Sequence, residues 1–275
     1  MRVNLMYSTN DMEELIFMIF NDFHFYSYVL GIETAAYILM PEQHVMAQSG
    51  KPLPVVYLLH GLSDDHTMWL RQTRVEQYAR DKRVMIVMPA ANRSFYMDMA
   101  HGARYDTFIA QELPQVIETF FPVCKQREGR FAVGLSMGGY GALKLGLTRP
   151  DRYAAVASFS GALGMDLCFE RYGSERISEL RDIYGSPEEL LNGPGNLMAL
   201  GEKMAQTPKQ SPKIYISCGT EDSLFPANER FVQAFGNRLP IQYHTEPGGH
   251  SWDFWDRQIA FVLNWLPLEE AKVVF

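Results

Sequence analysis

Cysteine is scarce in this chain: Cys124, Cys168 and Cys218 are the only three among 275 residues. Their irregular spacing rules out a disulfide framework or a cysteine-held zinc site, and the scarcity fits a reducing, cytoplasmic compartment. Cys218 falls in an apolar run, where a thiol acts as a small buried hydrophobe. An excess of positive charge is missing too. The 25 Lys and Arg residues face 32 Asp and Glu, for a net charge of -7, so no basic surface is available for nucleic acid or anionic lipid to read. Nor does any run approach the roughly 18 apolar residues of a membrane span. The short apolar stretch 15–20 follows Asp11, Glu13 and Glu14, where a secretory signal requires Lys or Arg. Neither nucleic acid nor a membrane is expected as a partner.

What the chain does have is material for a large core, with 47% hydrophobic and 21% charged residues, which excludes a disordered chain. A doubly wound α/β domain reaches this length without dividing, so one domain over residues 18–275 is expected. Residues 1–17 match no recognisable pattern and read as an N-terminal extension. Met18 opens MIFNDFHFYS, a natural first strand, and the codons for Met12-Glu13-Glu14 can supply a ribosome-binding purine tract. The expected biological start is therefore Met18. The 15 Met, 17 Phe and 14 Tyr residues leave enough apolar surface for a homo-oligomer.

Residues 20–28 and 32–39 are β-rich and separated by Leu30-Gly31, which predicts an antiparallel hairpin at a sheet edge. The unbroken apolar run 55–59 predicts a strand covered on both faces. A helix over 67–80, a strand over 84–88 and a polar loop through Asn92, Ser94, Phe95 and Tyr96 follow. Next come a helix over 107–121, a strand over 131–135 with its own helix, and a strand over 153–160. There the alternation stops. Residues 161–212 carry short amphipathic pieces and the breakers Gly185, Pro187, Gly193, Pro194 and Gly195, which predict an inserted helical cap. It resumes with a strand over 213–218, a helix over 227–237, a strand over 241–245 and a last helix over 252–266. Repeated βα units after an antiparallel start imply a mostly parallel, doubly wound sheet. Functional residues are then expected at the carboxyl ends of its strands.

One stretch organises the rest. RFAVGLSMGGYGALKLGLTR, residues 130–149, reads as strand, sharp turn and Ala/Leu-rich helix, with Gly134-Leu135-Ser136-Met137-Gly138 at the turn. A bare G-x-S-x-G arises by chance in roughly one chain in ten of this length. Set between an apolar strand and a helix, and followed by Gly139 and Gly141, it is the pattern of a nucleophile elbow, which lifts the serine hydroxyl above the strand end. Side chains two residues either side of Ser136 would collide where strand and helix pass.

A serine hydroxyl becomes a nucleophile when a histidine takes its proton and a carboxylate fixes that histidine. Asp222 lies just past the strand 213–218, and His250 follows the strand 241–245 in the turn Pro247-Gly248-Gly249-His250. Glu221 competes with Asp222, which sits one residue deeper into its loop. His244 competes with His250 but falls inside a strand, whereas a Gly-Gly-His turn can swing an imidazole across the sheet edge. His24, His44, His66 and His101 have no comparable setting. Attack on an ester carbonyl also needs backbone N–H donors for the oxyanion. Met137, at the start of the elbow helix, supplies one, and the loop His60-Gly61-Leu62 after the strand 55–59 supplies the other from Leu62. His60 is expected to brace that loop. Trp69, Phe95 and Tyr96 fall in neighbouring loops and are candidate walls of a substrate pocket, while Trp252 and Trp255 pack to hold the histidine turn. No metal or cofactor is called for.

LLHGLSDDHTMW, SFYMDMAHGARY, GLSMGGYGALK, CGTED and GGHSWDFW, in this order and spacing, resemble the esterase D family of α/β-hydrolases. That family includes S-formylglutathione hydrolases, tributyrin esterases, feruloyl esterases and mycolyltransferases. The similarity spans residues 18–266 and lies nearest the bacterial tributyrin-type carboxylesterases. It implies an α/β-hydrolase fold, hydrolysis of short acyl esters, and the same assignments: Ser136 as nucleophile, Asp222 as acid, His250 as base, Leu62 and Met137 as oxyanion donors. An S-formylglutathione thioesterase or an acyltransferase is the rival reading within the family. A non-catalytic binding protein is the rival outside it.

Overall fold

The unbroken apolar runs become the middle of one sheet. The computed structural model describes residues 17–42, 50–171 and 173–271, and all but the last residue of the extension 1–17 lies outside them. Eight strands run in the order β1-β2-β4-β3-β5-β6-β7-β8. They are β1 Met18–Ser27, β2 Ile32–Pro41, β3 Val55–Leu59, β4 Met85–Pro89, β5 Arg130–Leu135, β6 Ala155–Phe159, β7 Lys213–Gly219 and β8 Ile241–Glu246. The pairs β1–β2 and β2–β4 are antiparallel. All pairs from β4 across to β8 are parallel. Every residue of β3, β4, β5 and β6 is buried, because helices cover both faces.

The two faces divide the core. Val55, Tyr57 and Leu59 of β3 point into a cluster with Tyr140, Leu143, Phe231 and Ile117, beneath the helices Met137–Thr148, Phe225–Phe235 and Leu113–Phe120. Val56 and Leu58 point the other way, toward Trp69, Val75, Phe254 and Ile259 under the helix Trp252–Trp265. The chain leaves β3 for β4 on one side, then returns to place β5 on the other. That reversal makes β3 and β5 neighbours at a topological switch point, and the crevice beyond their carboxyl ends is where such sheets hold ligands.

Two helices differ from expectation. The segment 67–80 is two short helices, Met68–Gln72 and Val75–Ala79, broken at Thr73. Its hydroxyl bonds the Trp69 carbonyl at 2.5 Å and accepts the Val75 N–H at 3.3 Å, giving the backbone an alternative to a continuous helix. The helix expected over 107–121 starts at Tyr105 and passes through a π-helical turn, Phe108–Glu112, before Leu113–Phe120. Pro114 cannot donate to the Ala110 carbonyl, which instead accepts Arg152 Nη1 at 2.7 Å.

Between β6 and β7 the described residues form helices and no strand. The longest is Ser174–Tyr184, ended at Gly185 with φ +77°, and a capping box of Ser186 and Glu189 starts Pro187–Asn192. Among the described residues no helix is long and apolar enough to cross a membrane.

Candidate active site

Ser136 occupies the turn between β5 and the helix Met137–Thr148, with φ +53° and ψ -115°, a region that side chains rarely enter. Its backbone is held there from three sides. The Ser136 N–H donates to the Phe159 carbonyl at 2.9 Å, and its own carbonyl accepts from Tyr140 and Ala162 at 3.0 and 3.1 Å. The flanking glycines meet a steric demand. A Cβ on Gly134 would sit 2.4 Å from the Gly138 carbonyl, and one on Gly138 would sit 2.3 Å from the Leu59 carbonyl oxygen.

Three side chains then meet in a row. His250 Nε2 is 3.0 Å from Ser136 Oγ, and His250 Nδ1 is 2.9 Å from Asp222 Oδ2. Nδ1–H donates to the carboxylate, which leaves Nε2 to accept from the serine hydroxyl. The other carboxylate oxygen, Oδ1, accepts the Leu224 N–H at 2.8 Å. Burial pushes the Asp222 carboxyl up, but the hydrogen bonds from His250 and the Leu224 amide outweigh it and hold the group below the usual carboxylate range. The acid turn and the histidine turn are pressed together. A Cβ on Gly219 would lie 2.0 Å from the Gly248 carbonyl oxygen, and the Glu221 N–H donates to that oxygen at 3.0 Å. The Glu221 side chain is exposed, and His244 stays on β8, 3.3 Å from Glu246.

Across from them lies the loop 60–64. The His60 ring is buried, donates from Nδ1 to the Gly61 carbonyl at 2.7 Å and accepts the Ala91 N–H on Nε2 at 3.0 Å. Burial pushes its pKa down to about 4, so it is a neutral brace. The Gly61 N–H is taken by Asp64 Oδ2 at 3.0 Å. Among the described residues the N–H groups of Leu62 and Met137 make no hydrogen bond. A cavity of about 480 Å³ opens here, lined by Leu62, Phe95, Ser136, His250, Trp252 and Trp255 among others. Trp255 stands perpendicular to the His250 ring at 4.9 Å and donates from Nε1 to Ser160 Oγ at 3.1 Å.

Two of the three aromatics expected in the pocket wall are elsewhere. Trp69 is fully buried, bonded from Nε1 to the Leu59 carbonyl at 3.0 Å and packed on Phe159 and Trp252. Tyr96 is also buried, its hydroxyl donating to the His60 carbonyl at 2.9 Å. Both brace the end of β3 and the start of the loop 60–64, and Phe95 alone of the three reaches the cavity. The charged residues Asp64, Arg93 and Arg176, which the sequence reading did not single out, do reach it.

The Esterase family model matches residues 27–266. The chain belongs to the Esterase family. An acetyl esterase of Caldicellulosiruptor saccharolyticus is 29% identical over 256 residues, covering 88% of this chain and 96% of the relative. Two solved Staphylococcus aureus proteins share the fold closely. The fluorophosphonate-binding serine hydrolase FphF, with substrate bound, superposes with a TM-score of 0.83 at 29% identity, over 91% of this chain and 98% of that one. The S-formylglutathione hydrolase FrmB gives 0.80 at 30%, over 90% and 98%. This Esterase family member is a serine hydrolase of carboxylic esters with an α/β-hydrolase fold.

Proposed function

We propose that Ser136 is the nucleophile, His250 the general base and acid, and Asp222 the orienting carboxylate of a carboxylesterase for short-chain acyl esters. The observation that carries this reading is the continuous chain Ser136 Oγ, His250, Asp222, with links of 3.0 and 2.9 Å. His250 Nε2 takes the hydroxyl proton as Ser136 Oγ attacks the ester carbonyl carbon. The oxyanion that forms accepts from Leu62 and Met137, and the amino end of the elbow helix adds its positive partial charge. Collapse expels the alcohol with the proton from His250. Water, deprotonated by the same nitrogen, then attacks the acyl carbon and frees Ser136. Asp222, kept ionised by its donors, stabilises the imidazolium in both halves.

A cavity of about 480 Å³ crowded by Phe95, Trp252 and Trp255 suits small acyl groups better than long ones. A second reading, hydrolysis of a thioester such as S-formylglutathione, draws on Arg93 and Arg176, two basic residues lining the cavity of an acidic protein. Cytoplasmic residence is part of the proposal, supported by three free cysteines.

The test is a panel of p-nitrophenyl acetate, butyrate and octanoate with methyl ferulate and S-formylglutathione, run beside phosphonate labelling read by peptide mass spectrometry. Labelling on Ser136 and a rate peaking at acetate or butyrate is expected. A thioester rate far above every ester transfers the assignment to the second reading, and labelling on another serine overturns the mechanism.

A further inference from the structure

A second cavity of about 700 Å³ adjoins the first, and Leu62, Ser63, Asp64 and Arg93 line both. Arg93 stands at the boundary. Its guanidinium reaches the cap helix Ser174–Tyr184 and grips Glu179 with two bonds, Nε to Oε1 at 2.5 Å and Nη2 to Oε2 at 2.9 Å. Nη1 turns back to the Leu62 carbonyl at 3.5 Å. Glu179 lines only the far cavity, which also carries Met99, Ala103 and Tyr105. One side chain from the body and one from the cap thus meet at the boundary between the space beside Ser136 and a larger space beyond Leu62.

Building on the esterase reading above, we propose that the Arg93–Glu179 ion pair is the wall that limits acyl chain length, and that the far cavity receives the end of a longer acyl chain when the wall opens. The acyl group remains on Ser136 during the second half of the reaction, so it must fit the space beside Ser136, whereas the alcohol departs to solvent. Among mostly polar and charged neighbours, Leu62, Met99 and Ala103 give the far cavity an apolar strip that an alkyl end can follow. The pair is bidentate, so it holds a defined position. It is also solvent-accessible, with side chains 52% and 28% exposed, and pairs of that kind are weak. The wall therefore acts as a graded filter rather than a seal. The bond from Nη1 to the Leu62 carbonyl places the same pair against the loop that carries the Leu62 N–H.

The experiment measures kcat/KM for p-nitrophenyl acetate, butyrate and octanoate, with rates normalised to phosphonate-titratable Ser136 so that misfolded protein does not enter. Arg93→Ala and Glu179→Ala are each expected to raise the octanoate-to-acetate ratio about tenfold, and the double variant no further, because the two side chains act as one unit. Arg93→Glu combined with Glu179→Arg rebuilds the pair and is expected to return the ratio toward wild type. A parallel series of acetate esters with lengthening alcohols is expected to keep its profile. An unchanged acyl ratio in both single variants, or a response confined to the alcohol series, overturns the proposal. Loss of all Ser136-dependent hydrolysis in the wild type would instead overturn the esterase reading beneath it.

Discussion

The elbow and the cap are built by different means. At the elbow, Ser136 is fixed by three backbone hydrogen bonds and by two glycines whose missing side chains are replaced by backbone atoms within 2.4 Å. On the cap, the helix Ser174–Tyr184 meets the site through side chains, the half-exposed Arg93–Glu179 pair, Arg176 at the cavity and Tyr184 on Phe95, and through backbone bonds from Ala100 and His101 to Ile183 and Asp182. The first region tolerates no adjustment, since backbone cannot step aside. The second can exchange one side-chain pair for another at small cost. On the proposed reading, the chemistry of the reaction belongs to the rigid part and the choice of substrate to the yielding part.

The contrast breaks most sharply at Gly138→Ala. The added Cβ meets the Leu59 carbonyl oxygen at 2.3 Å, so the variant is expected to lose about 3 kcal/mol of stability and most of its activity. Urea denaturation and initial rates check this, and a variant as stable and active as wild type would show the elbow to be adaptable. Gly219→Ala comes next. Its Cβ would lie 2.0 Å from the Gly248 carbonyl oxygen, forcing the acid turn and the histidine turn apart. An ångström of misplacement costs about 100-fold in rate, so kcat is expected to fall by that factor with KM little changed.

A gentler probe is pH. Burial holds the native His60 pKa at about 4, below the roughly 6.5 of the unfolded chain. Between those values the unfolded state binds a proton that the native state refuses. Stability is therefore full above about pH 6.5 and declines as the pH falls toward 4, by at most about 3 kcal/mol. His60→Asn is expected to flatten that part of the thermal-stability profile, and an unchanged slope would locate the titrating group elsewhere.

The residues that were legible in the sequence are those whose reasons are local. The apolar runs of β3 and β5 announce strands covered on both faces, and Gly134-Leu135-Ser136-Met137-Gly138 states its turn within five residues. Asp222 and His250 follow because each lies just beyond a later strand. What was not legible depends on partners far away in the chain. Arg93 meets Glu179 across 86 residues, and a polar loop does not reveal which of its charges faces a cleft. Phe95 and Tyr96 adopt φ values of +48° and +54°, which reverse the side chains in a way that no glycine or turn signal foretells. Tyr96 consequently turns beneath the His60 carbonyl and Phe95 toward the cavity.

The most direct test of the account is the rate of p-nitrophenyl acetate hydrolysis by Ser136→Ala beside the wild type, at equal concentrations of folded protein. If Ser136 Oγ, 3.0 Å from His250, is the attacking atom, the variant loses at least about 10⁴-fold in kcat/KM while keeping its melting temperature. A rate equal to wild type would mean that the hydroxyl at the elbow takes no part in the reaction.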